Sequence, residues 1–120
     1  MTKTVFTLPL LLLLAATPAH ATGGFDCRTG GVRPIQVSLG FGHIAGAPLL
    51  QDATRLTDNG RPIPVAAPQW WFDGTELRLL LTDRAGQQRE AFLKAVKRGP
   101  TYDGSIWRHG QRRRIRCREG

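Results

Sequence analysis

The chain has 120 residues, 41% of them hydrophobic, and a formal net charge of +8 from 17 Lys and Arg against 9 Asp and Glu. That length suits one small domain and excludes a doubly wound nucleotide-binding sheet. With only two cysteines and three histidines, ligands for a zinc centre are scarce, so we expect no metal and no cofactor.

Residues 1–21 have the three parts of a secretory signal peptide. Lys3 supplies the positively charged n-region, Leu8 to Ala16 is an apolar run, and Ala19-His20-Ala21 is a small-x-small cleavage signal. The run is shorter than the ~20 apolar residues of a membrane-spanning helix. We therefore expect cleavage after Ala21, a single domain over 22–120 without a transmembrane segment, and a periplasmic or secreted location.

The domain opens with two predicted strands. The first begins at Phe25 to Arg28, and Thr29 to Gly31 turns the chain. Val32 to Leu39 then alternates apolar and polar residues, as a strand with one buried face does. Pro34 inside this run indicates a sheet edge or a bulge. The glycine-rich stretch Gly40 to Pro48 is predicted to be a flexible loop or a broken strand over a barrel mouth. Its glycine spacing does not fit a dinucleotide-binding turn.

Two further hairpins are predicted. Ala53 to Thr57 and Arg61 to Val65 flank an Asn-Gly pair, the strongest local hairpin signal, and prolines place the second arm at a sheet edge. Gln69 to Thr82 closes at Asp73-Gly74. Counting from that turn places Trp71 opposite Glu76 and at least partly exposed. The opposite, core-facing side carries Trp70, Phe72, Leu77, Leu79 and Leu81.

Arg89 to Arg98 is the one ambiguous segment. Its Phe92, Leu93 and Val96 could form a short helical face, but its position between two hairpins favours a strand. The resulting pattern of short strands and regular turns predicts an all-β fold. We expect an antiparallel meander of about seven to eight strands, curled into a small barrel or sandwich.

The last hairpin sorts its residues into two faces. A turn at His109-Gly110 pairs Arg108 with Gln111. One face is then polar and basic, and it carries Asp103, Ser105, Trp107, Arg112, Arg114 and Arg116. The other face is mostly apolar, although Arg113 points towards it, and it includes the inward Cys117. The only possible partner of Cys117 is Cys27, and an even cysteine count in an exported chain predicts a disulfide.

Catalytic residues are hard to find in this sequence. His43 lies in a predicted loop and His109 at a hairpin tip, and neither has an obvious partner. Asp73 and Asp103 could be considered as an acid/base pair, but the first fits a turn and the second falls opposite Arg116. We therefore expect a binding protein and no enzyme.

The basic face is the best candidate for a binding site. Arg112, Arg114, Arg116 and Arg118 repeat along the last strand at about 6.5 to 7 Å, with Trp107 at their end. Guanidinium groups bind anionic groups and stack on planar ligands. The expected partner is therefore an anionic polysaccharide, a lipid phosphate or an acidic protein. We expect the protein itself to be a monomer. Export makes nucleic acid an unexpected partner. The face could also be a solvated surface that discourages strand addition.

A second possible function is inhibition of, or interaction with, another protein through the Gly40–Pro48 loop and Trp71.

With its Phe25-Asp26-Cys27 opening and Arg114-Ile115-Arg116-Cys117 ending, the chain resembles small secreted proteobacterial β-proteins of uncharacterised function. More distantly, it is similar to the periplasmic inhibitors of c-type lysozyme, which implies an exported antiparallel barrel. It lacks their Ser-Gly-x-x-Tyr loop, and its positive charge opposes docking on a cationic lysozyme, so no inhibitory residue is carried over.

Overall fold

The computed structural model describes residues 23–42 and 48–120. The predicted signal peptide, His43 and most of the Gly40–Pro48 loop lie outside them. Within the described part there are nine strands and one short 3-10 helix, η1. Their bounds are β1 Gly23–Thr29, β2 Ile35–Phe41, η1 Gln51–Ala53, β3 Arg55–Asp58, β4 Arg61–Ile63, β5 Ala66–Phe72, β6 Glu76–Thr82, β7 Arg89–Arg98, β8 Thr101–Arg108 and β9 Gln111–Glu119. Among these residues, no helix has the length and apolar character needed to cross a membrane.

The strands form one antiparallel sheet in the order β4-β3-β2-β1-β9-β8-β7-β6-β5. The sheet curls into a half-barrel, because Phe41 on β2 and Trp70 on β5 bring their ring centroids within 5.6 Å although six steps of the strand order separate them. The predicted all-β antiparallel fold is confirmed, with nine strands in place of seven or eight. The ambiguous Arg89–Arg98 segment is a strand.

The predicted disulfide is confirmed and lies at the centre of the sheet. Cys27 and Cys117 are direct partners in the β1–β9 pairing, with Cα atoms 3.9 Å apart. Both are fully buried. The first and last strands of the described chain are therefore neighbours, and the sheet continues outward from them in both directions.

Two predicted turns have the expected backbone. Asn59 and Gly60 between β3 and β4 have φ of 53° and 82°, and His109 and Gly110 between β8 and β9 have 51° and 74°. Positive φ at both positions is the requirement of the two-residue hairpin turn that matches strand twist. The short β4, with its proline, lies at the sheet edge as predicted.

The second predicted strand was placed three residues too early. Val32 is 93% exposed in the β1–β2 loop, and the strand begins at Ile35, whose N–H donates to the Thr29 hydroxyl at 2.8 Å. Pro34 precedes the strand, and its carbonyl accepts the Asn59 N–H at 2.9 Å. It therefore marks neither an edge nor a bulge, since β2 lies inside the sheet between β1 and β3.

The register predicted for the β5–β6 hairpin was wrong by two residues. Trp71 faces Arg78, not Glu76, because the turn is longer than Asp73-Gly74. The Asp73 carboxylate accepts the N–H groups of Thr75 and Glu76 at 2.9 and 2.8 Å, which holds the longer turn and keeps the pKa of Asp73 well below its usual range. A two-residue shift preserves the faces, so Trp71 still points outward.

The gap between the two ends of the curled sheet is bridged by a glutamine. Gln51 of η1 donates from Nε2 to the carbonyl of Ala67 on β5 and accepts the Ala67 N–H at Oε1, both at 2.9 Å. The side-chain amide thus replaces a neighbouring strand for one residue of the β5 edge. Because Ala67 is 1% exposed, its N–H and C=O groups are shielded from water and rely on Gln51 for their hydrogen bonds.

We expect Gln51→Ala to lower the free energy of unfolding by about 1 to 3 kcal/mol, because it leaves a buried donor and acceptor of Ala67 unpaired. Urea unfolding followed by circular dichroism measures this. Gln69→Ala is the matched control, since Gln69 is exposed on the outer side of β5. Equal losses in the two variants would contradict a bridging role for Gln51.

Candidate anion-binding face

The outer side of β8 and β9 has the predicted register. Trp107 faces Arg112, Ser105 faces Arg114 and Asp103 faces Arg116. Ile115 and Cys117, which alternate with the arginines, are buried in the core. Four of the five arginines of β9 are exposed: Arg112, Arg114, Arg116 and Arg118.

Strand β1 brings a further arginine to this face. Arg28 is the direct partner of Arg116, and Asp26 is the partner of Arg118. Neither Arg28 nor Asp26 was among the predicted binding residues. The signal was present, because an antiparallel pairing of Cys27 with Cys117 places the residues on either side of the two cysteines opposite each other.

These strands enclose an open groove of about 560 Å³, which we call the arginine groove. Gly104, Ile115 and Gln36 are among its lining residues. Its charged lining residues are Asp26, Arg28, Asp103, Arg114, Arg116 and Arg118. Four cationic groups against two anionic ones leave the groove positive.

One arginine of the groove is fixed by a carboxylate. Arg116 donates from Nε to Asp103 Oδ1 at 3.0 Å and from its terminal nitrogen to Oδ2 at 3.4 Å. The hydrogen bond from Arg116 holds the pKa of Asp103 below its usual value, and a second bond from Thr101 acts in the same direction. Within 23–42 and 48–120, no carboxylate lies within 4.0 Å of the guanidinium groups of Arg28, Arg114 or Arg118.

Arg113 lies on the inner face of β9 opposite the buried Ile106, as predicted, and its guanidinium reaches outward to the loop beside the groove. Its guanidinium donates to the backbone carbonyls of Arg33 and Gly30 at 2.8 and 2.9 Å. These contacts tie β9 to the β1–β2 loop. They hold the end of β1 that carries Arg28 close to the arginines of β9.

The two tryptophans proposed for binding lie outside the arginine groove. Trp107 is half-buried and packs on Phe92, with ring centroids 5.7 Å apart, above a separate hollow beside His109. Trp71 is 48% exposed, donates to Asp73 at 3.1 Å and has the Arg78 guanidinium 5.3 Å from its ring centre. Four strand spacings, about 19 Å, separate β5 from β9. The structure therefore does not unite Trp71 with the arginines.

The residues considered for catalysis are also apart. Asp73 holds the β5–β6 turn and Asp103 binds Arg116, while His109 has the positive φ of a hairpin turn. In the described ranges, no group of three or more His, Cys, Asp or Glu side chains is placed to hold a metal ion.

Comparison with known proteins gives no further information about this site. No protein family, curated protein or solved structure matches the chain. The resemblance to secreted β-proteins and lysozyme inhibitors stays a prediction. Function has to be inferred from the residues themselves.

We expect Trp71→Phe to remove more of the acrylamide-quenchable fluorescence than Trp107→Phe does. Trp71 is open to solvent, whereas Trp107 is partly covered by Phe92. Acrylamide is neutral, so the surrounding arginines do not bias its access. Stern–Volmer quenching of the two variants and the wild type measures this, and a larger loss in Trp107→Phe would contradict the observed packing.

Proposed function

We propose that this protein is an exported binding protein that recognises an anionic component of the cell envelope, a polysaccharide or a lipid phosphate, through the arginine groove. The observation that carries the proposal is the convergence of Arg28, Arg114, Arg116 and Arg118 from two strands on one groove. Trp107 and Arg112 flank it on the same outer face. No catalytic step is part of the proposal.

The chemistry of the groove favours a ligand with several charges. A guanidinium offers paired N–H donors that match carboxylate, sulfate and phosphate groups. Each exposed ion pair is weak in water, with a median of about 0 to 1 kcal/mol. Affinity therefore requires several contacts made together, and arginines repeating every second residue of a strand suit a chain of anionic groups.

The proposed location follows from the cysteines and the N-terminus. The Cys27–Cys117 disulfide is compatible with an oxidising compartment outside the cytoplasm. Together with the predicted signal peptide over 1–21, it supports a periplasmic or secreted location, and the proposal takes the protein to be a monomer there. A single small domain of this kind would present the groove directly to envelope components.

A second candidate function is interaction with a protein through Trp71 and the predicted Gly40–Pro48 loop, most of which lies outside the described residues. The observation that favours it is the 48% exposure of Trp71, because tryptophan is a residue type enriched at protein interfaces. Such binding would depend on apolar contact and persist at high salt. Binding through the arginine groove would weaken steeply as salt rises, because exposed charges are screened.

We expect the combined substitution of Arg112, Arg114 and Arg116 by Ser to abolish retention on heparin resin while changing the melting temperature little. These side chains are exposed, and the single ion pair of Arg116 with Asp103 is on the surface. Salt elution from heparin and thermal unfolding measure the two effects.

The matched control replaces Arg33, Arg61 and Arg84 by Ser, which removes the same charge from exposed positions outside the groove. This control should elute at a salt concentration close to that of the wild type. Equal elution of the two triple variants would show that retention follows net charge alone, and the proposal would then fail.

A further inference from the structure

The arginine groove contains a carboxylate that makes no ion pair in the described structure. Asp26 is exposed between Arg118 on β9 and Ser38 on β2. No described residue donates a side-chain hydrogen bond to it or lies within salt-bridge distance. Asp103 is different, because its oxygens are occupied by Arg116 and Thr101.

A carboxylate in this position has a chemical consequence for the ligand. An ionised Asp is an acceptor only, so it repels phosphate and sulfate and binds hydroxyl donors. A ligand made only of anionic groups would be attracted by the arginines and repelled by Asp26. A ligand that carries both acidic groups and hydroxyls could bind the arginines through its acidic groups and Asp26 through a hydroxyl.

We infer that the arginine groove binds an acidic polysaccharide, with its acidic groups on Arg28, Arg114 and Arg118 and a sugar hydroxyl donating to Asp26. This inference rests on the proposed function and narrows its ligand to one class. The groove volume of about 560 Å³ is within the usual range of ligand sites and accommodates a short segment of such a chain. Arg114 and Arg118 are four residues apart, about 13 Å along the strand, so one segment can reach both.

The lining of the groove favours sugar over single-stranded nucleic acid. Proteins that bind single strands stack the bases on aromatic side chains. The described residues that line the arginine groove include no aromatic side chain, since Trp107 and Trp71 line other hollows. Hydrogen-bonding groups are present instead, on Asp26 and Gln36.

The test is the variant Asp26→Ala, titrated with hexagalacturonate and with linear polyphosphate of similar charge. Removing Asp26 makes the groove more positive, so polyphosphate, which lacks the ring hydroxyls of a sugar, should bind more tightly. Hexagalacturonate is also an anion and gains from the same charge change, but the loss of one hydrogen bond to a charged acceptor outweighs that gain, so it should bind roughly tenfold more weakly. Calorimetric titration at constant salt gives both dissociation constants.

The control is Asp52→Ala, which changes the charge equally at an exposed residue outside the groove and should shift both ligands by the same small factor. Tighter binding of both ligands to Asp26→Ala would overturn the sugar inference and leave a general polyanion site. Wild-type preference for single-stranded DNA over hexagalacturonate would also overturn it. If the wild-type protein binds none of these ligands, the proposed function itself fails.

Discussion

The pairing of β1 with β9, locked by the bond between Cys27 and Cys117, is the constraint on which the rest of the structure depends. The two cysteines are 90 residues apart in sequence and adjacent in the sheet. In the chain-entropy model, closing a loop of about this size stabilises the fold by about 4 to 5 kcal/mol. That is a large share of the roughly 5 to 15 kcal/mol by which a domain is stable. The same pairing brings Arg28 beside Arg116, so the cross-link also positions the candidate site.

The ends of the half-barrel are held by two different kinds of contact. At one end, the rings of Phe25, Phe41 and Phe72 pack edge to face or tilted, with centroids 5.0 to 6.1 Å apart. At the other end, Arg108 is 7% exposed and binds Asp58 at 2.8 Å and Glu90 at 2.9 Å. These contacts connect strands that are distant in the sheet order, and they keep the sheet curled behind the exposed groove.

The parts of this structure that local chemistry determines could be predicted from sequence. A Gly in a two-residue turn fixes the register of the last hairpin, and alternation then assigns every arginine of β9 to a face. The longer turn at Asp73 was missed, because a side chain that accepts backbone N–H groups competes with the simple turn count. Gln51 was missed for a related reason: its partner Ala67 lies across a gap that only the curled sheet creates.

The candidate site, like the fold, was predicted from sequence only where a local pattern determines it. Arg112, Arg114, Arg116 and Arg118 were found from alternation within one strand, whereas Arg28 and Asp26 required extending the cysteine pairing to neighbouring residues. The separation of Trp71 from the arginines depends on the order of five strands, which no local pattern encodes. The positive charge of the groove was therefore visible from one strand alone, whereas Asp26, the acceptor that narrows the ligand class, was visible only through the pairing of the two cysteines.

The most direct test of this account is an NMR measurement of Hα–Hα cross-peaks between β1 and β9 in the oxidised protein. The register predicts a cross-peak between Thr29 and Ile115, two residues from the disulfide, and another between Phe25 and Glu119. Their presence would establish a continuous antiparallel pairing that places Arg28 among the arginines of β9. Absence of both cross-peaks with the disulfide intact would contradict the pairing and remove Arg28 and Asp26 from the groove.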